Sequence, residues 1–388
     1  MRILHVVPSY LPAVRYGGTI YCVHALAVAT AQRGHEVHVF TTNVDGAGVS
    51  PVPTGRPVDL DGVSVTYFPC GVGRRLYHSP AMVRALATEV RSFDVLHLHS
   101  VFLWPTLAAA RAARKASVPY VMTPHGMLVG DLIRRQRRLP KTVWIRLFER
   151  ANIAAAATVH VTFELEKVEI ETLGLCAKRF AVIPYVLDLP GAPLEDIGLV
   201  PGRRPFVLSL SRINWKKGLD RLIQAMVHVP GADLVIAGND EEGYRSKLEE
   251  MASGLGGRVR FVGPVYGSEK WELMRSATVF ALPSYSENFG IAVLEAMACG
   301  VPVVVTPEVG LASAVNEAGA GIVVEGEPEK LGAELSRLLA DPARCRLMGT
   351  AGRKAAEEKF SRSAITDEME AVYRSVIAGA GHEGRGHG

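Results

Sequence analysis

The chain has 388 residues, 48% of them hydrophobic, and a net charge of +4. Its length predicts about two domains with ordinary cores. Five scattered cysteines without a Cys-x-x-Cys pair argue against a structural zinc and favour a reducing compartment. No apolar run is long enough to span a membrane. The first residues predict a strand that stops at Pro8 rather than a signal peptide, so the predicted location is cytoplasmic.

The charge is divided unevenly along the chain. Residues 1–185 carry a net charge of +9, and the remainder carries −5. This division indicates that the first half meets an anionic partner such as a membrane surface, a lipid phosphate or nucleic acid. Ordinary solvated charge is the alternative.

The first half predicts alternating strands and helices, which indicates an α/β layer structure. The predicted strands are 2–8, 36–41, 63–68, 95–99, 120–123, 158–162 and 180–183, and the predicted helices are 19–33, 80–91, 103–116 and 164–173. Gly17 and Gly18 lie in the first strand-to-helix loop, where glycine lets backbone N–H groups approach a phosphate. The loop lacks the G-x-G-x-x-G dinucleotide pattern, and a loop that simply needs glycine explains it equally well.

Three histidines lie at the carboxyl ends of predicted strands, where open α/β sheets bind ligands. His97 and His99 share one strand face, and His125 follows the next strand in Thr-Pro-His-Gly. A metal is conceivable at His97 and His99. Since no third ligand with suitable spacing is evident, no metal site is predicted.

Residues 131–150 form the most basic segment, in which cations alternate with apolar side chains. The residues with a predicted role in membrane or acceptor contact are Arg134, Arg135, Arg137, Arg138, Lys141 and Trp144. This mixture is typical of a segment that lies on an anionic membrane or a pyrophosphate headgroup. A solvated helix face is the alternative, and nucleic acid is disfavoured because no recognised binding module surrounds the segment.

Five prolines between residues 184 and 205 indicate a connection between domains. After it the alternation of strands and helices resumes, which predicts a second α/β domain. The predicted strands are 206–211, 234–237, 259–262, 278–282, 303–306 and 321–324, and the predicted helices are 219–228, 243–255, 268–275, 289–299 and 328–340, with further helix to about residue 377.

Two stretches of this second half have the residue types of an anion-binding site. Arg212 and Lys217 lie on the loop after its first strand and suit a diphosphate, because Arg offers a fixed fork and Lys a mobile charge. In residues 283–306, Glu295 lies alone on an apolar helix and requires a fixed partner. The N–H groups of residues 288–290 are expected to open that helix as an anion site, with Glu287 beside it. The alternative is that Glu287 caps the helix and Glu295 forms a core salt bridge.

Several motifs resemble the retaining glycosyltransferases of family four. They are Ser-Arg-x(4)-Lys-Gly at 211–218, Phe-Val-Gly-Pro-Val at 261–265, the run from Pro283 to Val303, Thr-Pro-His-Gly at 123–126 and the Gly17-Gly18 loop. The resemblance spans nearly the whole chain and implies the GT-B fold. In that fold two Rossmann-like domains, here 1–185 on the acceptor side and 186–362 for the nucleotide sugar, face each other across a cleft. Residues from about 363 return to the first domain.

The resemblance also implies roles for individual residues. Arg212 and Lys217 would hold the donor diphosphate, Glu295 the ribose hydroxyls, and Glu287 the donor sugar or its leaving phosphate. The remaining implied donor contacts are the backbone of Asn288, Phe289 and Gly290, Leu294 near the nucleotide, Gly263, Val265 and the Gly238-Asn239 pair around the base, and Gly17 and Gly18 near the phosphate. His125 would lie at the reacting carbon.

The expected reaction moves a sugar from a nucleoside diphosphate sugar to a hydroxyl, with a lipid-linked or cell-envelope polysaccharide precursor as the preferred acceptor. The resemblance implies front-face displacement without a metal cofactor, so no nucleophile is assigned. Asp59-Leu-Asp61 spells the D-x-D of metal-dependent glycosyltransferases of the other fold, but it lies in a predicted polar turn and is interpreted as a coincidence. The rival hypotheses are a nucleotide-sugar epimerase and a non-catalytic nucleotide-sugar-binding subunit.

Overall fold

The computed structural model describes residues 1–13, 18–46, 48–71, 73–130, 133, 138–187, 204–240 and 243–383. The chain divides into two compact units. Unit 1 consists of residues 1–187 together with the residues from Arg362 onward, and unit 2 consists of residues 188–361. Most of the predicted proline-rich connection lies outside the described residues.

Unit 1 is built on an eight-stranded sheet with the order β10-β9-β8-β7-β1-β2-β6-β5. Its strands are β1 Arg2–Ser9, β2 Glu36–Thr42, β5 Pro57–Leu60, β6 Val63–Phe68, β7 Val95–His99, β8 Tyr120–Thr123, β9 Thr158–Val161 and β10 Phe180–Val182, and a small hairpin has β3 Val44–Asp45 and β4 Gly48–Val49. All pairs in the large sheet are parallel except β5 with β6. The central strands are buried throughout, as expected for parallel strands covered on both faces.

Helices cover this sheet. They are Gly18–Ala31, Pro80–Glu89, Trp104–Ala116, Arg138–Trp144, Arg150–Ala155, Glu164–Thr172 and Arg362–Glu383, with a π-helical stretch at Ile145–Glu149. The last helix packs against Gly18–Ala31, and Tyr373 on it joins a core cluster with Ile3, Val95 and Val121. Glu370 on the same helix has a pKa lowered to about 2 by Arg374, His35 and Arg33. The C-terminal helix is therefore an integral part of unit 1.

The Asp59-Leu-Asp61 sequence does not lie wholly in a turn. Asp59 belongs to the edge strand β5, and Asp61 has a positive φ of 56° in the tight connection to β6. Asp61 pairs with His24, with 2.9 Å between the carboxylate oxygen and Nε2. Both acidic residues are exposed, and Asp59 accepts a hydrogen bond from the amide of Gly62 within the turn.

Unit 2 is built on six parallel strands with the order β13-β12-β11-β14-β15-β16. The strands are β11 Phe206–Leu210, β12 Asp233–Ala237, β13 Val259–Gly263, β14 Val279–Leu282, β15 Val303–Val305 and β16 Gly321–Val323. From β11 the chain first adds strands on one side and then returns to add β14 on the other. The strand order therefore reverses between β11 and β14, and ligands of open α/β sheets bind outside the carboxyl ends at such a point.

The helices of unit 2 are Leu219–Ala225, Tyr244–Ala252, Gly267–Ser276, Ile291–Ala298, Ala312–Ala318, Pro328–Leu339 and Pro342–Lys359. The helix Ala312–Ala318 was not predicted, because it is short and rich in small residues. In the described part of the chain, no helix has both the length and the apolar character needed to cross a bilayer.

Candidate functional site

Two loops of unit 2 meet at the point where the strand order reverses. One follows β11 and contains Lys216 and Gly218, and the other follows β14 and begins at Pro283. Gly218 has a φ of 63°, and a Cβ on it would lie 1.9 Å from the carbonyl oxygen of Pro283. The amide of Tyr285 donates to the carbonyl of Lys216 at 2.7 Å. Only glycine allows this close approach, so Gly218 fixes one loop against the other.

The junction brings together two predicted donor residues. Lys217 forms an ion pair with Glu287, and their side chains are 16% and 17% exposed. The sequence proposed both residues but did not predict that they pair. Arg212 is exposed on the same loop as Lys217, two residues beyond the end of β11. Two cations and a carboxylate thus lie at the carboxyl ends of β11 and β14.

The start of the helix Ile291–Ala298 differs from the prediction. Gly290, with a φ of 95°, is the N-cap residue, so the alternative that Glu287 caps this helix is wrong. The predicted helix began two residues early, and the N–H groups without an intrahelical partner begin at Ile291. Residues 287–290 form a loop that neighbouring backbone holds in place. The amide of Gly310 donates to the carbonyl of Glu287 at 2.9 Å, and that of Leu311 to Phe289 at 3.0 Å.

Glu295 has the fixed partner that its burial requires. Nζ of Lys270, on the helix Gly267–Ser276, lies 2.8 Å from Oε1 of Glu295. Burial raises the pKa of Glu295, and the ammonium of Lys270 opposes that rise. Lys270 also lies 3.9 Å from the centroid of the Trp271 ring. The salt-bridge interpretation of Glu295 is correct, and it leaves the second carboxylate oxygen for other donors.

The residues proposed to border the base lie together at the ends of β12 and β13. A Cβ on Gly238 would lie 1.7 Å from the carbonyl oxygen of Ser211, so this glycine permits close contact with the loop after β11. The amide of Gly238 donates to the carbonyl of Gly263 at 2.8 Å. The side chain of Asn239 donates to the hydroxyl of Tyr266 at 3.3 Å, and Val265 is half-buried beside it.

The remaining predicted donor residues lie in both units. The side chains of Phe289 and Leu294 are buried in the core of unit 2, at 2% and 0% exposure, and the donor contact expected of Phe289 is through its backbone. Asn288 lies in the loop before the helix Ile291–Ala298. Gly18 is the exposed first residue of the helix Gly18–Ala31, whereas Gly17 lies outside the described residues.

In unit 1, His125 has a φ of 56° directly after β8. Its Nε2 lies 3.0 Å from Nδ1 of His99, and its Nδ1 lies 2.8 Å from the hydroxyl of Tyr185. Burial lowers the pKa of His125 to about 3. The ring is therefore a neutral imidazole with both nitrogens hydrogen-bonded.

The sequence missed a third histidine beside His97 and His99. His5, on β1, lies next to both, and ligand-type atoms of the three residues are within 4.8 Å of one another. The parallel pairing of β1 with β7 places His5 opposite His97, which is a tertiary contact that the spacing of two histidines on one strand does not reveal.

Of the basic segment, the structure describes Ile133 and the residues from Arg138 onward. Arg134, Arg135, Arg137 and the side chain of Arg138 lie outside the described residues. Lys141 lies 5.6 Å from the ring centroid of Phe102, and the indole N–H of Trp144 donates to Oε1 of buried Glu149 at 2.8 Å. Burial raises the pKa of Glu149, although hydrogen bonds from the amide of Phe102, from Trp144 and from Asn152 oppose this. Both half-buried side chains, Lys141 and Trp144, thus bind within unit 1 rather than projecting outward.

The exposed residues of this segment include three large apolar side chains. Leu139, Val143 and Leu147 are 79%, 55% and 61% exposed. A spacing of four residues places them on one side of a helical stretch. The exposed cations Arg146 and Arg150 follow them in the chain.

The sequence of each half matches a family model. Residues 17–186 match the glycosyl transferase 4-like domain, and residues 194–355 match the glycosyl transferases group 1. A D-inositol 3-phosphate glycosyltransferase of Nocardiopsis dassonvillei is 31% identical over 97% of this chain and 94% of its own length. The chain belongs to the glycosyltransferases of family four.

Solved structures show the fold of this glycosyltransferase. Sucrose-phosphate synthase from Thermosynechococcus elongatus matches with a TM-score of 0.80 and 24% identity, over 97% of this chain and 99% of that one. The Anabaena protein HepE in complex with UDP-glucose matches with a TM-score of 0.73 and 20% identity, over 97% and 100%. These likenesses confirm the GT-B fold that the motifs implied.

Three residues of this glycosyltransferase that lie at the described clusters were not predicted from the sequence. In the sequence, Lys270 looks like an ordinary helical lysine, because no residue near it in the chain indicates that a buried carboxylate lies on an adjacent helix. Tyr185 and His5 contact the histidines only through folding, over separations of 60 and 94 residues.

Proposed function

We propose that this glycosyltransferase moves a sugar from a nucleoside diphosphate sugar to a hydroxyl acceptor, with retention of the anomeric configuration. The observation that supports it most strongly is the meeting of Lys217, Glu287 and the Arg212 loop where the strand order reverses. That arrangement offers positive charge to a diphosphate and a carboxylate to sugar hydroxyls at the expected ligand crevice. The UDP-glucose complex of the Anabaena protein supports a nucleotide-sugar donor.

In this proposal Arg212 and Lys217 bind the diphosphate. Arg212 supplies a planar fork for two phosphate oxygens. The ammonium of Lys217 has three N–H donors, so it can hold Glu287 and a phosphate oxygen together. The ion pair therefore orients the lysine before the donor arrives and presents Glu287 to the sugar.

Glu295 binds the ribose hydroxyls with the oxygen that Lys270 leaves unbound. Lys270 stabilises the ionised carboxylate against the cost of burial. An ionised carboxylate accepts hydrogen bonds, whereas its protonated form donates one and accepts less well. Lys270 is thus proposed to keep Glu295 in the form that receives two hydroxyl groups.

The proposed reaction breaks the bond between the anomeric carbon and the diphosphate oxygen and forms a bond from that carbon to the acceptor oxygen. The acceptor proton passes to the departing diphosphate, and the diphosphate leaves from the same face of the sugar that the acceptor oxygen attacks. Arg212 and Lys217 stabilise the charge that develops on the leaving group. His125 is proposed to contact the donor sugar, and no residue is assigned as a nucleophile.

A panel of nucleoside diphosphates and their sugars tests the donor. We expect one base to raise the melting temperature and the matching nucleoside diphosphate sugar to support transfer.

Activity is expected to persist in excess EDTA; full loss that a divalent ion restores would contradict the metal-free mechanism. Incubation with donor alone separates the rival activities, because an epimerase converts the sugar without an acceptor.

The acceptor is proposed to be presented at an anionic membrane, as a lipid-linked or cell-envelope precursor. The exposed row of Leu139, Val143 and Leu147 beside basic residues supports this, since such a face suits insertion among lipid headgroups. The acceptor named for the Nocardiopsis relative, D-inositol 3-phosphate, belongs in the same assay as a water-soluble competitor. Transfer to that compound and not to a lipid extract would contradict the membrane acceptor.

A further inference from the structure

Unit 1 contains a group of buried and half-buried histidines on its central strands and in the turn after β8. They come from β1, β7, β9 and the turn after β8, which are neighbours in the sheet. The members are His5, His97, His99, His125 and His160. The transfer reaction as proposed uses only His125, so the other four require a separate explanation.

Three of these rings form a chain that ends on a tyrosine. Nδ1 of His5 lies 3.0 Å from Nε2 of His99, and Nδ1 of His99 lies 3.0 Å from Nε2 of His125. The ring planes are within 15° of each other, and the centroids are 5.2 Å apart. A short nitrogen-to-nitrogen distance with such widely separated centroids means that the rings meet edge to edge. Tyr185 completes the chain with its hydroxyl 2.8 Å from Nδ1 of His125.

Proton positions along this chain depend on each other. A neutral imidazole has one N–H donor and one acceptor nitrogen. Each contact between two rings therefore needs a donor on one side and an acceptor on the other, so all three rings must point their protons the same way. The hydrogen-bond chain therefore has two arrangements. In one, His5 donates to His99 and His125 donates to Tyr185; in the other, the direction of every hydrogen bond is reversed.

The environment of His5, at one end of the hydrogen-bond chain, distinguishes these two arrangements. Nε2 of His5 is buried and has no hydrogen-bond partner. Buried donors without a partner are rarer than buried acceptors without one. This favours the arrangement in which His5 keeps its proton on Nδ1, and it places the proton of His125 on the nitrogen that faces Tyr185.

The other two histidines belong to a separate network. His97 lies 2.7 Å from the hydroxyl of Tyr373 through Nδ1 and 2.7 Å from that of Thr123 through Nε2. The Thr123 hydroxyl lies 2.9 Å from His160, whose other nitrogen lies 2.8 Å from the carbonyl of Ile183. This network ends on a tyrosine as well, but it has no hydrogen bond to His125.

A metal is a weaker explanation for the cluster. His97 and His99 each use both ring nitrogens in hydrogen bonds, which a bound ion would break. Burial lowers the pKa values of His5, His97 and His99, neighbouring histidines lower those of His97 and His99 further, and no carboxylate contributes to the pKa of any of the three. A buried dication here would lack a compensating charge.

We propose that His5, His99 and Tyr185 are positioning residues that hold His125 as a neutral imidazole in one tautomer and one orientation, with proton placement coupled from end to end. The effect on transfer rests on the proposed function, whereas the coupling of tautomers does not. Because both ring nitrogens of His125 are hydrogen-bonded within unit 1, the side chain acts as a fixed ring contact and not as an acid or base.

The test compares two matched variants, Tyr185→Phe and Tyr373→Phe. Each removes a hydroxyl bonded to Nδ1 of a histidine in unit 1 and keeps the ring. Ring nitrogen shifts of ¹⁵N-histidine-labelled protein report the tautomers. We expect Tyr185→Phe to change those of His125, His99 and His5, and Tyr373→Phe to leave all three unchanged. A change confined to His125 would overturn the coupling.

The kinetic arm uses UDP-glucose or whichever nucleoside diphosphate sugar gives the largest thermal shift. We expect Tyr185→Phe to lower kcat about fivefold to tenfold with the donor KM within twofold, and Tyr373→Phe to stay within twofold of the wild type. Equal losses in both variants would assign Tyr185 a structural role only and overturn the positioning role. Absence of transfer by the wild-type protein would contradict the proposed function, and the nitrogen shifts would still decide the coupling.

Discussion

The two units stabilise their polar side chains in opposite ways. In unit 1, His5, His99 and His125 are buried or half-buried neutral rings that form hydrogen bonds with one another. In unit 2, Glu287 and Glu295 are paired with lysines at the carboxyl ends of strands or on adjacent helices. Neutral buried networks fix geometry, whereas partly exposed ion pairs can share their charge with an incoming anion. In the proposed reaction, unit 1 therefore supplies a rigid contact, and unit 2 stabilises the charge that develops on the leaving diphosphate.

The largest expected effect comes from removing the diphosphate cations. Arg212→Ala and Lys217→Ala should each lower kcat at least tenfold and up to about a hundredfold, which is typical of losing one leaving-group contact. Steady-state kinetics measure this. Lys216→Ala, next to Lys217 and on the same turn, is the control. Near-normal rates in both variants would show that unit 2 does not carry the charge stabilisation.

The second ion pair, Lys270 with Glu295, can be tested through the pH dependence of donor binding. In Lys270→Met the opposing cation is gone, so burial alone raises the pKa of Glu295 further. A raised pKa means that the carboxylate is ionised only at higher pH, so donor affinity should fall as pH is lowered from 8 to 5. Calorimetric Kd values over this range should stay nearly flat in wild type and in the surface control Lys247→Met. Glu295→Gln should weaken binding about tenfold at every pH.

Acid should destabilise unit 1 before unit 2. The pKa values of His5 and His125 are lowered to about 3 and that of His160 to about 4, from an ordinary value near 6.5. The unfolded chain therefore binds protons that the folded chain does not, so stability is full above pH 6.5 and is lost as pH falls towards 4. As pH falls through that window, each of these histidines lowers the free energy of unfolding by about 1.4 kcal/mol per pH unit.

Hydrogen exchange, corrected for the intrinsic pH dependence, measures this difference peptide by peptide. Protection in β1, β7 and β8 should fall between pH 6.5 and 4.5 while β11 and β14 keep theirs. Unit 2 losing protection first would contradict the contrast between the neutral and the charged cluster.

The smallest expected effect concerns the surface of unit 1. Replacing Leu139, Val143 and Leu147 together by serine should reduce co-sedimentation with anionic liposomes several-fold, because each inserted side chain contributes up to about 2 kcal/mol. Leu347→Ser is the matched control, since Leu347 is 73% exposed on unit 2. Unchanged sedimentation of the triple variant would leave the row as an ordinary solvated face.

Sequence reasoning reached the alternating elements of both units because their periodicity and their Gly and Pro punctuation are local. Strands such as Val63–Phe68, Val95–His99 and Tyr120–Thr123 are found with the predicted bounds. The start of the helix at Ile291 was missed because Gly290 caps it without a side-chain signal. The short helix Ala312–Ala318 was missed because seven small and polar residues give little periodicity.

The sequence by itself determined the family, the fold and the residue types of the proposed donor site, because the motifs after β11 and β14 are contiguous stretches of chain. The pairing of those residues was decided by tertiary structure. Lys217 meets Glu287 only because Gly218 lets two loops touch, and Lys270 reaches Glu295 only because two helices pack side by side. The hydrogen-bond chain from His5 to Tyr185 likewise joins residues that lie far apart in the sequence. Such contacts depend on strand order and packing, which no local pattern of residues encodes.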